Sequence, residues 1–220
     1  MGREERIQQL LKDAEKAFLS ENFDDARRAY EQVTQFAAPD GESYKKAISG
    51  VAFTAAMQSQ FEEARGIYDM LLNVSRMDKH PQTEAMILHQ LGIVERLAGD
   101  HIAALDYLQQ EETVLHEKLP DWVEGLAANS YEQGYVHYKQ GGVTLAKKFF
   151  LKTVHEAALT VNDAVYHLLG AAFRVLGEIA QKEGTIESAR EYYTRSIEAF
   201  QNDEDSQAVQ DVQKQLDMLG

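Results

Sequence analysis

The stretch LGEIAQKEGTIESAREYY, residues 176–193, decides the fold. It places Gly177 twelve residues before Ala189, Gly184 five before it, Ile186 three before it and Tyr193 four after it. The same arrangement recurs around Ala26, Ala64, Ala104 and Ala146, at gaps of 38, 40, 42 and 43 residues. Twelve before each alanine stands a tiny side chain: Ala14, Ala52, Gly92, Gly134, Gly177. Three before stands a larger or apolar one: Phe23, Phe61, His101, Val143, Ile186. Four after stands a large apolar one: Tyr30, Tyr68, Leu108, Phe150, Tyr193. This reads as a helical hairpin. The tiny residue and the alanine let two helix backbones approach, and the large side chain one turn later fills the space beside them. One such pair cannot bury its apolar face alone, so copies must stack.

The punctuation agrees. Gly99, Gly141 and Gly184 stand where the left-handed residue ending a first helix is expected. Glu21 and Ser59 occupy that place in the first two units, which predicts less ideal turns there. The only prolines, Pro39, Pro81 and Pro120, all fall between one unit's second helix and the next unit's first, where proline is tolerated.

The units resemble the tetratricopeptide repeat, most closely at Leu91-Gly92 with Gly99 and Ala104, and at Leu176-Gly177 with Gly184, Ala189 and Tyr193. The resemblance spans about residues 5–202. It implies an all-α fold: a right-handed superhelical α-solenoid of about five helix-turn-helix repeats. The repeats run at approximately 5–38, 42–79, 82–119, 122–161 and 163–202, with a C-terminal capping helix over 205–219, all in one domain spanning 1–220. The aromatic usual nine before the alanine is replaced by Ala17, Ala55, Glu95, His137 and Ala180. The units are longer than the usual ~34 residues. In this they resemble the long repeats of kinesin light chains and bacterial peptide-pheromone receptors. Both ends read as caps. Ile7, Leu10, Leu11, Ala14, Ala17 and Phe18 share one face near the start, and Val209, Val212, Leu216 and Leu219 share one near the end.

Composition narrows function. The chain of 220 residues has net charge −14, which disfavours nucleic acid. No run approaches the ~20 apolar residues of a membrane span. There is no cysteine, so disulfides, thiolate catalysis and zinc-thiolate sites are excluded; this fits a cytoplasmic location. His116-Glu117 and His155-Glu156 open a zinc-protease-like pattern but lack its second histidine. His89 and His137 lie on first helices without a carboxylate partner nearby in sequence. The acidic pairs Asp24-Asp25, Glu62-Glu63 and Glu111-Glu112 read as solvated helix surface. No catalytic constellation, metal set or cofactor motif stands out, and the expected protein is not an enzyme.

In the resembled family the first helix of each pair lines a concave groove. The groove face lies 18, 15, 11, 8 and 7 residues before each alanine. From it come the candidate binding residues Lys46, Phe53, Met57, His89, Ile93, Arg96, Tyr131, Tyr135, Tyr138, Lys139, Arg174, Glu178 and Lys182. Leu11, Ala56 and Ala171 fall on the same face by this rule. Among its twenty-five positions are five basic and two acidic residues, the reverse of the chain's 22 basic and 36 acidic. That points to an acidic segment of a protein or peptide partner. The competing reading is that these side chains pack on the next first helix, or pair locally as Arg174 with Glu178. The carboxylate clamp of chaperone-tail-binding relatives is missing, since Lys12, Gly50, Gln90, Glu132 and Val175 stand at its key position. Asn129, near the groove edge, resembles the backbone-holding asparagines of pheromone receptors. The expected role is therefore a protein-protein interaction module, with a receptor for a small signalling peptide, acting through a separate effector, as the alternative. Self-association through the terminal helices or the groove stays open.

Overall fold

The computed structural model describes residues 2–39, 41–160 and 163–220. Among them are eleven α-helices and one short 3-10 turn, with no strand. The helices are α1 (Arg3–Leu19), α2 (Phe23–Phe36), α3 (Glu42–Met57), α4 (Phe61–Met77), α5 (Pro81–Ala98), α6 (His101–Lys118), α7 (Val123–Lys139), α8 (Val143–Ala157), α9 (Tyr166–Lys182), α10 (Ile186–Asn202) and α11 (Ser206–Asp217). The fold is all-α, and consecutive helices pack on each other from α1 to α5 and from α7 to α11. Packing divides the chain into two compact units, one ending at Tyr107 and one beginning at Leu108. None of the helices is long and apolar enough to cross a membrane.

The five repeat alanines are fully buried, as are Ala14 and Ala52 opposite them. Glycine stands at this position in both hairpins of unit 2, at Gly134 and Gly177. A Cβ on Gly177 would lie 2.6 Å from the Tyr193 ring, and one on Gly134 would lie 3.2 Å from Phe150. The ring four residues after the alanine therefore sits directly on the bare backbone twelve before it. Tyr193 and Phe150 are both fully buried there, and burial pushes the Tyr193 hydroxyl up to about 12.

Each hairpin turn closes in one way. The residue five before the alanine is left-handed in every unit, with φ of 85°, 76° and 75° at Gly99, Gly141 and Gly184, and 56° and 62° at Glu21 and Ser59. The next backbone N–H then reaches back to the carbonyl of the residue nine before the alanine. Asn22 donates to Ala17, Gln60 to Ala55, Asp100 to Glu95, Gly142 to His137 and Thr185 to Ala180, at 2.8–2.9 Å. This six-to-one bond satisfies a carbonyl that the helix end would otherwise orphan. Glu21 and Ser59 bear the steric cost of a Cβ in that conformation, about 1 kcal/mol each.

In four of the five repeats, the third with Leu105 being the exception, the residue after the alanine ties its repeat to the chain 30–36 residues on. Arg27 grips Glu63 at 2.6 and 3.1 Å, and Arg65 grips Glu95 at 2.7 Å on both oxygens. In unit 2 Lys147 reaches Glu183 at 2.9 Å, and Arg190 donates to the Gly220 carbonyl at 2.5 Å. At the C-terminal end Val212 of α11 is buried with Val209, Leu216 and Leu219 against it, and the Asp205 carboxylate accepts from the Ala208 N–H at 2.9 Å to cap the helix.

Candidate interaction face

In unit 1 the candidate residues lie on α3 and α5. Lys46 bonds Glu15 of α1 at 2.6 Å, and the Phe53 ring stacks on Phe18 of α1 at 5.3 Å. Met57 is 39% exposed, while His89, Ile93 and Arg96 are half-buried. Here neighbouring first helices satisfy each other. Phe53 is a packing residue, and the Lys46 charge is answered within the fold.

Unit 2 presents the rest on α7 and α9. Tyr131 and Tyr135 stack with centroids 6.1 Å apart, and Tyr131 also meets Phe150 edge-on. The Lys139 ammonium lies 5.2 Å from the Tyr135 ring centre. One turn of sequence on, the Tyr138 hydroxyl donates to Glu178 at 3.1 Å and accepts from Lys182 at 2.7 Å. That bond raises the Lys182 ammonium above its ordinary value. Lys139 and Lys182 remain exposed, whereas the three tyrosines are half-buried. The tyrosines are thus held in place from below and from the side, with two cations beside them. Glu178 is engaged by Tyr138; Arg174 lies instead near Asp211 of α11, which feels its charge, and its Nε is enclosed without an acceptor.

Several expectations need correction. Asn129 is not at a groove edge. It is buried, donating to the Leu108 carbonyl and to Glu111, both at 2.8 Å, and accepting from Gln133 at 2.7 Å. Glu111 is accordingly not solvated surface: it is 3% exposed. Its neighbour Glu112 accepts from Lys152 at 2.7 Å and from Gln133 at 3.3 Å. Burial raises Glu112, but Lys152, Gln133 and His116 outweigh it and hold this carboxyl below its usual value. Glu156 on α8 is also buried. Desolvation pushes its carboxyl up, against Ser130 and Lys152, with Glu112 adding to the rise. Leu11, Ala56 and Ala171 turn into the core. His137 stacks on Phe149 at 5.4 Å, and burial lowers its imidazole, so it is part of the hairpin.

One group among the described residues has metal-compatible spacing: His167, Asp203 and Asp205, whose ligand atoms lie within 4.8 Å of one another. His167 Nδ1 already bonds Asp203 at 2.9 Å, and Asp205 caps α11. The arrangement serves the junction of α9, α10 and α11.

No family model matches the chain, and no curated protein matches it in sequence. Solved structures do match it in fold. A thermophilic tetratricopeptide-repeat protein of Thermus thermophilus superposes with TM-score 0.62 at 17% identity, over 97% of this chain and 98% of that one. The chain has the tetratricopeptide-repeat fold. Aspartyl phosphate phosphatase F of Bacillus subtilis matches with TM-score 0.62 at 13% identity; the whole of this chain spans 61% of it. A putative kinesin light chain of Podosopora anserina, with nearly identical tetratricopeptide-like repeats, matches with TM-score 0.57 at 17% identity, over 82% of this chain and 96% of that one. At such identities the likeness is one of fold. The tyrosine row lies on α7 alone; what the repeat accounts for is the neighbouring first helix, whose Glu178 and Lys182 meet Tyr138.

Proposed function

We propose that the protein is an interaction module whose α7–α9 face holds a carboxylate-bearing segment of a protein partner. One observation carries this reading: Lys139 and Lys182 are exposed, each lies against a tyrosine ring, and both belong to one face of a chain with net charge −14. A carboxylate would meet the ammonium groups, and an apolar or aromatic side chain would lie on Tyr131 and Tyr135. The Tyr138–Glu178 bond fixes the face beforehand, which lowers the ordering cost of binding. Lys46, Phe53, Met57, His89, Ile93 and Arg96 play a lesser part, because Lys46 and Phe53 are answered by α1. The reading assigns no chemistry and no cofactor to the chain, and the absence of cysteine suits the reducing cytoplasm.

The test is a peptide-display selection on the wild-type protein, repeated on a Lys139→Glu, Lys182→Glu variant whose circular dichroism matches wild type. Acidic peptides enriched on wild type and weakened at least tenfold on the variant support the reading. Peptides that bind both proteins equally place the site elsewhere. The long repeat units favour a free signalling peptide as the alternative ligand. A selected peptide that binds as tightly alone as within a larger protein favours that receptor role.

A further inference from the structure

The outward faces of the second helices differ among themselves, and that difference carries a proposal about self-recognition. On α2 the outward positions are Asp24, Arg28, Glu31 and Gln35. On α6 they are Ile102, Asp106, Gln109, Thr113 and Glu117, and on α10 Glu187, Glu191, Thr194 and Glu198. Ile102 apart, these are the polar faces expected of helices whose other side is packed. At the same places α4 has Glu62, Gly66, Asp69 and Asn73, with no apolar side chain, and its apolar exposure lies on the neighbouring strip; α8 has Leu151 among Thr144, Lys148 and His155. On α4, Met70, Val74 and Met77 are 48%, 41% and 81% exposed, at the four-then-three spacing of one stripe. On α8 and the turn after it, Leu145, Leu151 and Leu159 are 46%, 44% and 66% exposed. Single exposed apolar side chains are ordinary, but a stripe is not.

Their charges are opposite. The outward side of α8 has exposed Lys148 and His155 and no carboxylate, because the only acid on that helix, Glu156, is buried. The two other lysines of α8 are engaged, Lys147 with Glu183 and Lys152 with Glu112. The α4 face has exposed Asp69, with Asp78 and Lys79 just past its C-terminal end, while Glu62 is paired with Arg65. Both arginines of α4 are engaged, Arg65 with Glu95 and Arg76 with Glu84.

We propose that these two faces bind each other between copies: α8 of one molecule docks on α4 of a second. The leucines of α8 would cover Met70, Val74 and Met77, while Lys148 would meet Asp69. Each helix is about 22–26 Å long, so one helix laid on another buries an area near the lower limit for specific interfaces. The association is therefore weak and concentration-dependent. Because the two faces are different surfaces of one chain, the contact is heterologous and does not stop at two copies unless a ring closes. This surface is separate from the α7–α9 face and does not depend on it.

Sedimentation velocity over a concentration series decides the matter. The variants are Met77→Glu, which spoils the α4 face, and Leu151→Glu, which spoils the α8 face. Lys148→Glu is a second α8 variant at an exposed position, in case Leu151→Glu perturbs the helix. Wild type is expected to grow beyond a dimer as concentration rises, and each variant alone to associate at least tenfold more weakly. An equimolar mixture of Met77→Glu with an α8 variant retains one good face of each kind. It is expected to form a 1:1 dimer and to grow no further. A wild type that stays monomeric into the high micromolar range overturns the proposal and leaves these faces to other partners. Loss of association in the α8 variants but not in Met77→Glu overturns it in favour of α8 pairing with itself. Failure of the mixture to dimerise while wild type associates overturns it as well.

Discussion

The two units join their repeats by different means. Unit 1 uses arginine forks: Arg27 on Glu63 and Arg65 on Glu95, the latter against a side chain only 6% exposed. Unit 2 uses an inner network in which amides separate carboxylates: Asn129 and Gln133 stand between Glu111 and Glu112, and Lys152 closes the far side. A fork is strong only while both partners remain, and neither arginine titrates near neutrality. A network of amides and carboxylates spreads the load over several bonds, and Glu156 beside Lys152 has its carboxyl pushed up by burial, which ties its contribution to pH. Unit 1 should thus fail abruptly on losing one side chain, whereas unit 2 should respond to solution conditions.

The largest effect is expected at the fork. Arg65→Ala leaves Glu95 buried without its cation and should cost about 3 kcal/mol in urea unfolding. Arg65→Met combined with Glu95→Leu should recover most of that loss; a double variant as weak as the single one would show that the fork is more than a matched pair. In unit 2, Asn129→Ala strips the Leu108 carbonyl and Glu111 of a donor, for about 2 kcal/mol. Hydrogen exchange should show the loss within residues 108–220, and protection lost equally before Tyr107 would erase the distinction between the units.

A smaller change is expected from Gly177→Ala. Its Cβ would fall 2.6 Å from a fully buried ring, at an overpacking cost of roughly 1–3 kcal/mol that a helix-propensity gain of about 1 kcal/mol only partly offsets. Unit 1 has alanine at the same register in Ala52, so Ala52→Gly should also destabilise, by about 1 kcal/mol. If Gly177→Ala raises the melting temperature, the ring seat is not tight.

The smallest effect at neutral pH concerns Glu156. Its folded carboxyl ionises above the ordinary 4.5, so the stability it contributes is full below that value and is lost as pH rises through the raised one. Glu156→Gln should therefore remove a decline in stability above pH 4.5 and leave the acid side unchanged. Melting curves of the two proteins from pH 4 to pH 8 check this, and parallel curves would mean that Glu156 is solvated in the fold.

The repeat was legible because sterics wrote it. Only glycine or alanine fits where Tyr193 or Phe150 must lie, so the spacing survives in the letters. Lateral pairing was not legible. Lys46 and Glu15 lie 31 residues apart, and only the offset between α1 and α3 brings them together. Asn129 misled for a related reason. It stands one residue past a groove position, and one residue turns a helix by about 100°, enough to aim the amide into α6. The buried acids were hidden because a glutamate in a helix looks alike whether it faces water or an asparagine.

The five hairpin turns have a consequence for how such a chain can change. Each closes on a main-chain oxygen, at Ala17, Ala55, Glu95, His137 and Ala180. The side chain at that residue is released from any duty to the turn, and the protein has used the freedom twice, for a carboxylate that receives Arg65 and for an imidazole that lies on Phe149. Every repeat thus offers one rewritable slot whose content leaves the bend intact. A designer's exchange at these places spares the turn's own hydrogen bond, but at Ala55 and Ala180, both fully buried, the new side chain must also fit the core.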